Sequence, residues 1–191
     1  GETDTGAECS GHGVVRSWMS GDVCACEAGF VQADPTVLAC EPTQDVCAPG
    51  PIEAFDVDGD GVEDTWFEPS LMECLLFELV NRTRANHDDE GHAECHAPLM
   101  YDPDWTAHAR RHSMEMYQQD SVFFDDLPPG VAAQNAGHAD SGPQDMMGVL
   151  MAGDHCPEAT PHCTLMGCPW AQVGIGLYPP DEGPYFTQNF L

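Results

Sequence analysis

The sequence contains no lysine, and its five arginines face 33 aspartates and glutamates, for a formal charge of −28. That balance excludes nucleic-acid binding by phosphate neutralisation, because a chain without a basic surface has no counterions to release from a polyanion. Anionic membrane surfaces are excluded on the same ground. No run of eighteen apolar residues occurs, so no segment reads as a transmembrane helix. A Gly-x-Ser-x-Gly elbow, a phosphate loop and a dinucleotide fingerprint are also missing. Since every cysteine has a structural use, no obvious nucleophile is left.

What is present is a chain of 191 residues with 42% apolar side chains, enough for one modest core and a small appended unit. Ten cysteines point to an oxidising compartment, and the even count favours complete pairing. The N-terminus Gly1-Glu2-Thr3-Asp4-Thr5-Gly6 is polar and acidic, unlike an export signal. The chain therefore reads as a mature secreted, extracellular or periplasmic protein, with room for a tether through a preceding segment.

Cysteine density divides the sequence into residues 1–45, 46–68 and 69–191. The first part is Gly-rich, lacks helical periodicity and must be stapled to hold a shape. Its Cys9-Ser10-Gly11-His12-Gly13, followed by Cys24-Ala25-Cys26-Glu27-Ala28-Gly29-Phe30 and Cys40, resembles the C-terminal part of an EGF-like module. Carried over residue by residue, the resemblance implies Cys9–Cys24 and Cys26–Cys40. Each bridge closes a loop of roughly 15 residues, worth about 3 kcal/mol in the chain-entropy picture.

The second part contains Asp56-Val57-Asp58-Gly59-Asp60-Gly61-Val62-Glu63-Asp64. Carboxylates at alternate positions, with glycine sixth, suit a hard cation that takes inward oxygens and needs a sharp turn. Asp56, Asp58, Asp60, the Val62 carbonyl and Asp64 are the expected ligands of a structural calcium ion. Phe67 stands where an EF-hand has its bidentate glutamate, so the match is to the shorter loops of extracellular repeats.

From about Pro69 the pattern becomes helical, then β. Ser70-x-x-Glu73 is a capping box ahead of Leu71, Leu75, Leu76, Leu79 and Val80. Asp102-Pro103 opens a second helix with Trp105, Ala109, His112 and Met116 on one stripe. Gly142-Pro143-Gln144-Asp145 starts a third, Met-rich helix that Gly153 stops. Val173, Ile175 and Leu177 alternate with Gly174 and Gly176, and Tyr185–Phe190 follows after a proline-rich turn, which predicts an antiparallel hairpin.

Leu79-Val80-Asn81-x-x-Arg84, Pro98-Leu99-x-Tyr101-Asp102, Ala109-Arg110-x-His112-Ser113, Val173-Gly174-Ile175-Gly176 and Tyr185-Phe186-Thr187-Gln188-Asn189-Phe190 occur in that order. Together they resemble the CAP superfamily of secreted domains, which includes cysteine-rich secretory proteins, wasp-venom antigens and plant pathogenesis-related proteins. The resemblance covers about residues 70 to 191. It implies an α+β fold of the CAP-type α-β-α sandwich, with the EGF-like unit in front. It also implies a cleft in which the family typically carries two histidines and two acidic residues.

Here the family's cleft positions map onto Asp125, Gln134 and His155. With an aspartate for one imidazole and an amide for one carboxylate, the set is a poor zinc site, and zinc is not expected there.

His92-Ala93-Glu94-Cys95-His96 has its glutamate at the wrong offset for a zinc protease. His108 and His112 read as core histidines on one helical face, whereas His138, His155 and His162 form an alternative loop cluster. The Asn81-Arg82-Thr83 sequon falls inside a predicted helix. Cys47, Cys74, Cys95, Cys156, Cys163 and Cys168 allow fifteen pairings, among which Cys156–Cys163 is attractive because its loop is short and rich in proline.

The reading that follows is a secreted, non-enzymatic binding module that presents its cleft to an extracellular protein, glycan or lipid. A metal-dependent hydrolase using His155 with Asp125 or Asp126 is the alternative. A lipid carrier with a groove near Met146, Met147 and Met151 is a third.

Overall fold

The N-terminal third has too few apolar side chains to fold around a core, and covalent bonds take over that role. The computed structural model describes residues 8–47, 54–55, 61–62, 64–65, 71–87, 95–127, 129–152, 161–179 and 183–191. Strands β1 (Gly13–Trp18) and β2 (Gly21–Cys26) form an antiparallel hairpin. Gly21 takes a left-handed φ of 124° at its turn.

Beyond the hairpin, β3 (Phe30–Val31) pairs with β4 (Glu41–Pro42), and one helical turn, α1 (Thr43–Val46), follows. Cys9 is bonded to Cys24 and Cys26 to Cys40, the two expected pairs. Buried Gln32 replaces a further strand: its Oε1 accepts from Cys24 N at 2.7 Å and its Nε2 donates to the Val37 carbonyl at 2.9 Å. Cys47–Cys74 then ties the unit to the first long helix. The expected boundary at 45/46 falls inside α1.

The expected calcium segment is bracketed by an antiparallel pair, β5 (Ala54–Phe55) with β6 (Asp64–Thr65). Gly61, the sixth residue of the loop, has φ 84°. Val62 is exposed, whereas Asp56, Asp58 and Asp60 lie outside the described residues.

The rest is mixed helix and sheet. Helix α2 (Leu71–Asn86) precedes β7 (Met100–Tyr101), α3 (Pro103–Gln119), β8 (Ala133–His138), α4 (Pro143–Met151), α5 (Pro161–Leu165), β9 (Gln172–Tyr178) and β10 (Tyr185–Phe190). The four strands form one sheet in the order β7-β9-β10-β8, antiparallel except where β7 runs with β9. Asp102 caps α3 by accepting from Trp105 N at 3.0 Å, with Pro103 in the first turn, as the Asp-Pro pair predicts.

Alternation along β9 and β10 sorts the two faces of the sheet. Val173, Ile175, Leu177, Phe186 and Phe190 enter the main core with Leu76, Phe77 and Val80 of α2, and with Met146, Met147 and Leu150 of α4. The methionines proposed for a lipid groove thus include two core residues. On the opposite face Gly174 and Gly176 present no side chain. The α3 backbone lies against them so closely that a Cβ on Gly176 would run into main-chain atoms of Ala109 and Arg110.

The free edge of β9 is covered by side chains. Past the short pairing with β7, Ile175 N donates to Thr106 Oγ1 at 3.1 Å and Leu177 N donates to Glu73 Oε1 at 3.1 Å. Glu73, fully buried on α2, also takes Arg110 of α3 in a two-pronged ion pair, with Nε–Oε1 and Nη2–Oε2 both 2.6 Å.

The small unit is seated on this body. The Trp18 ring stacks on His96 with centroids 3.9 Å apart, and its Nε1 donates to the Ala85 carbonyl at 3.2 Å. Buried Glu78 accepts from Gly29 N at 3.0 Å and from Thr43 Oγ1 at 2.9 Å, and pairs with Arg82. Val31 reaches the main core.

The expectation that all ten cysteines are bonded is not met at Cys95 and Cys168, which are thiols; the Cys95 sulfur donates to the backbone carbonyl of Cys168 at 3.8 Å. Cys163 is disulfide-bonded, and Cys156, its expected partner, lies outside the described residues.

Two glycine substitutions separate close packing from intrinsic helix propensity. Gly176→Ala should lower stability by about 3 kcal/mol, because a rigid backbone is in the way. Gly148→Ala, exposed in α4 with nothing within 4 Å of a new Cβ, should raise it by about 0.5–1 kcal/mol. Urea denaturation of both variants checks the pair; a tolerated Gly176→Ala would contradict the packing of α3.

Candidate functional site

Helical spacing places His108, His112 and Glu115 on one side of α3. The segment after α3 doubles back from Asp120, which ends the helix in a left-handed turn and accepts from Tyr185 Oη at 2.9 Å. It brings Asp125 and Asp126 across from the helix. Gln134 of β8 and Asn189 of β10 are register partners, and Gln134 Nε2 donates to Asn189 Oδ1 at 2.9 Å. With Arg111 these residues line a cavity of about 230 Å³.

Gln134 is a positioning group, its Oε1 accepting from Asp125 N at 3.1 Å. Of the three positions that the resemblance maps onto the cleft, Asp125, Gln134 and His155, the first two are joined by this hydrogen bond. His155 lies outside the described residues. The histidine that meets Asp125 is His112: its Nε2 is 3.6 Å from Asp125 Oδ1, and Phe123 packs edge-on against its ring at 5.1 Å. His112 is buried as expected, but His108 is exposed at the cavity wall and is not a core residue.

The other face of the imidazole enters a closed relay. His112 Nδ1 is 3.0 Å from Thr187 Oγ1, which is 2.9 Å from Ser113 Oγ; Ser113 Oγ in turn lies within 3.0 Å of the Ala109 and Gly176 carbonyls. If Ser113 donates to a carbonyl, Thr187 donates to Ser113 and accepts from Nδ1–H, so Nε2 carries a lone pair. If Ser113 donates to Thr187, then Thr187 donates to Nδ1, and Nε2 carries the hydrogen. The two forms differ only in proton positions. Nε2 itself is buried and makes no hydrogen bond, the Asp125 carboxylate lying 3.6 Å away, and His112 is one of the residues that line the cavity.

Burial lowers the His112 pKa from the ordinary histidine value, against the opposing pull of the Asp125 and Glu115 carboxylates. Burial raises that of Asp125, offset in part by His112. A His112 pKa below the ordinary value leaves its imidazole neutral at neutral pH.

The remaining candidates are dispersed. His96 accepts or donates at Nδ1 against the Arg84 carbonyl, 2.7 Å away, and stacks on Trp18, so it serves the seat of the hairpin. His92 and Glu94 lie outside the described residues. His138 packs on Tyr185 and His162 on His87, so neither is directed at Asp125 by these contacts. Asn81 of the sequon is buried, with Nδ2 donating to the Leu99 carbonyl at 3.0 Å and Oδ1 accepting from Leu99 N at 2.8 Å.

Among the described residues the one group of three metal-type ligands is Cys9, Cys24 and Cys40, whose sulfurs are in disulfides. His112 and Asp125 supply two ligand atoms, short of the set a zinc ion takes from a protein. No helix among the described residues is long and apolar enough to cross a membrane. No family model matches the chain, and neither a curated protein nor a solved structure matches it.

The electrostatics of the cleft have a sign that can be measured. Because the folded pKa of His112 is lowered, the unfolded chain binds a proton the native one refuses, and stability falls as pH drops below the unfolded value of about 6.5. Asp125 acts in the opposite sense at lower pH. Asp125→Asn removes the largest influence raising His112, so nitrogen-detected NMR should find its pKa lower still; a rise would overturn the assignment.

Proposed function

We propose that the chain is an extracytoplasmic, non-enzymatic binding module of the CAP type, carrying a truncated EGF-like unit and presenting the His112–Asp125 cleft to a polar ligand. The observation that carries the reading is the buried, unpartnered Nε2 of His112 at a cavity whose other walls are Arg111, Glu115, Asp125, Asp126, Gln134 and Asn189. A buried polar atom without a partner is costly, and a ligand group bonded to it recovers that cost. The relay behind the ring lets Nε2 receive either a donor or an acceptor. Charged and amide walls favour a protein segment or a glycan over a lipid chain. Disulfide stapling suits a protein that works outside the reducing cytosol.

The test is a titration of the folded chain with methylguanidinium and methyl glycosides, following the imidazole nitrogens of His112 by NMR. At least one probe class should move Nε2 more than Nδ1, and Asp125→Asn should weaken binding of a cationic probe by about tenfold. If no probe moves Nε2, the cleft is not the binding site. Zinc forms a separate arm, because Nε2 and Oδ1 at 3.6 Å are near the edge length of a tetrahedral zinc site. Stoichiometric zinc binding lost in Asp125→Asn would move the assignment to a metal-dependent hydrolase.

The aspartate loop is read as a structural calcium site formed by Asp56, Asp58, Asp60, the Val62 carbonyl and Asp64. The left-handed Gly61 and the bracketing β5–β6 pair support that reading. A cation bound only by the folded loop raises the melting temperature by mass action, and extracellular loops of this kind need ~10⁻⁴ to 10⁻³ M calcium. Millimolar calcium should stabilise the chain, and Asp58→Ala with Asp60→Ala should abolish the gain; a persisting gain places the ion elsewhere.

A further inference from the structure

Arg84 is fully buried on α2, and its guanidinium is held by backbone carbonyls: Nε donates to Ala97, and Nη1 to Leu165 and Gly167, the last at 3.2 Å. Its Nη2 has no hydrogen-bond partner. The ionisable side chains beside this charge are the two thiols, Cys95 and Cys168. The Cys95 sulfur lies 3.8 Å from the Cys168 carbonyl oxygen, which sets the two residues side by side, and burial pushes the Cys168 thiol up to about 11. Cys95 is buried and Cys168 exposed.

We infer that Cys95 and Cys168 form a thiol–disulfide couple, oxidised by exchange with a low-molecular-weight disulfide, whose closure stiffens the seat of the N-terminal hairpin. Cys168, the exposed partner, is the entry point. Its thiolate attacks one sulfur of the incoming disulfide, forming a mixed disulfide and expelling one thiolate. Cys95, next to Arg84, then attacks the Cys168 sulfur and expels the second. Two electrons pass from the protein to the small disulfide, and the two thiol protons end on the two small thiols released.

The new bond joins residues 73 positions apart in sequence. It reinforces a contact already made by the backbone, where Cys95 N donates to the Met166 carbonyl at 2.9 Å. One residue further on, His96 carries the Trp18 ring and meets the Arg84 carbonyl. The redox state of Cys95 is thereby placed next to the contact that holds β1 and β2 on α2.

The test uses the full chain as purified, with oxidised glutathione as the probe. Peptide mapping without reduction should show Cys95 linked to Cys168, either at once or after incubation with the probe, and the wild type should retain no glutathione. Cys95→Ser should hold one glutathione on Cys168. Cys168→Ser should gain none in the native state. Amide exchange in residues 14–18 and 95–97 should be slower in the linked form. Two thiols persisting in excess oxidised glutathione, or glutathione retained on wild-type Cys168, would overturn the couple. Exchange rates equal in the two forms would overturn its effect on the hairpin.

Discussion

A single buried carboxylate joins the two long helices to the sheet. Glu73 belongs to α2, binds Arg110 on α3 through both oxygens and accepts the Leu177 amide of β9. The arrangement solves two problems together. A charge with no access to water needs a partner of opposite sign and further hydrogen bonds, and a strand edge inside a protein needs acceptors for its N–H groups. Neither helix can slide along the sheet without uncoupling a charge that is costly to leave alone. Thr106 performs the neutral half of the same task one pair of residues earlier, at Ile175.

Much of this frame is legible in the chain. Two long helices, a shorter third and the C-terminal hairpin announce themselves through 3.6-residue and 2-residue periods, and Asp102-Pro103 marks the start of α3 with both a cap and a fixed φ. The glycines of β9 are legible as interruptions, but their purpose is not. Only the packed structure shows that Gly174 and Gly176 face α3 and bring two backbones into contact. β8 is harder to see, because Ala133-Gln134-Asn135-Ala136-Gly137-His138 has almost no apolar alternation. Its place as an edge strand comes from β10, whose every residue is buried. Polar residues buried by their neighbours carry no period.

The cleft illustrates the same limit. Asp125 and Gln134 can be matched by position, and they do meet. His112 reads as a core histidine because Trp105, Ala109 and Met116 share its stripe, and burial is indeed its state. What a stripe does not reveal is that one ring nitrogen points inward to Thr187 while the other reaches a cavity. That division depends on the segment 121–127 folding back over α3, a long-range event set by Tyr185 holding Asp120 and by Gln134 holding the Asp125 amide. The signal available in the sequence was the i, i+4 pair of His108 and His112 facing a run of two aspartates.

The burial of Asn81 reaches beyond the folded state into biosynthesis. Its side-chain amide is spent on both backbone groups of Leu99, in the interior between α2 and the segment leading to β7. Oligosaccharyl transfer acts on chains emerging into a secretory lumen, before helices have packed, and the Asn81-Arg82-Thr83 tripeptide satisfies its recognition rule. A glycan attached at that moment has no space in the finished protein, because the Asn81 amide is buried against both backbone groups of Leu99. Production in a host with N-glycosylation therefore sets up a race between sugar transfer and helix docking, and every molecule that loses the race is excluded from the native fold.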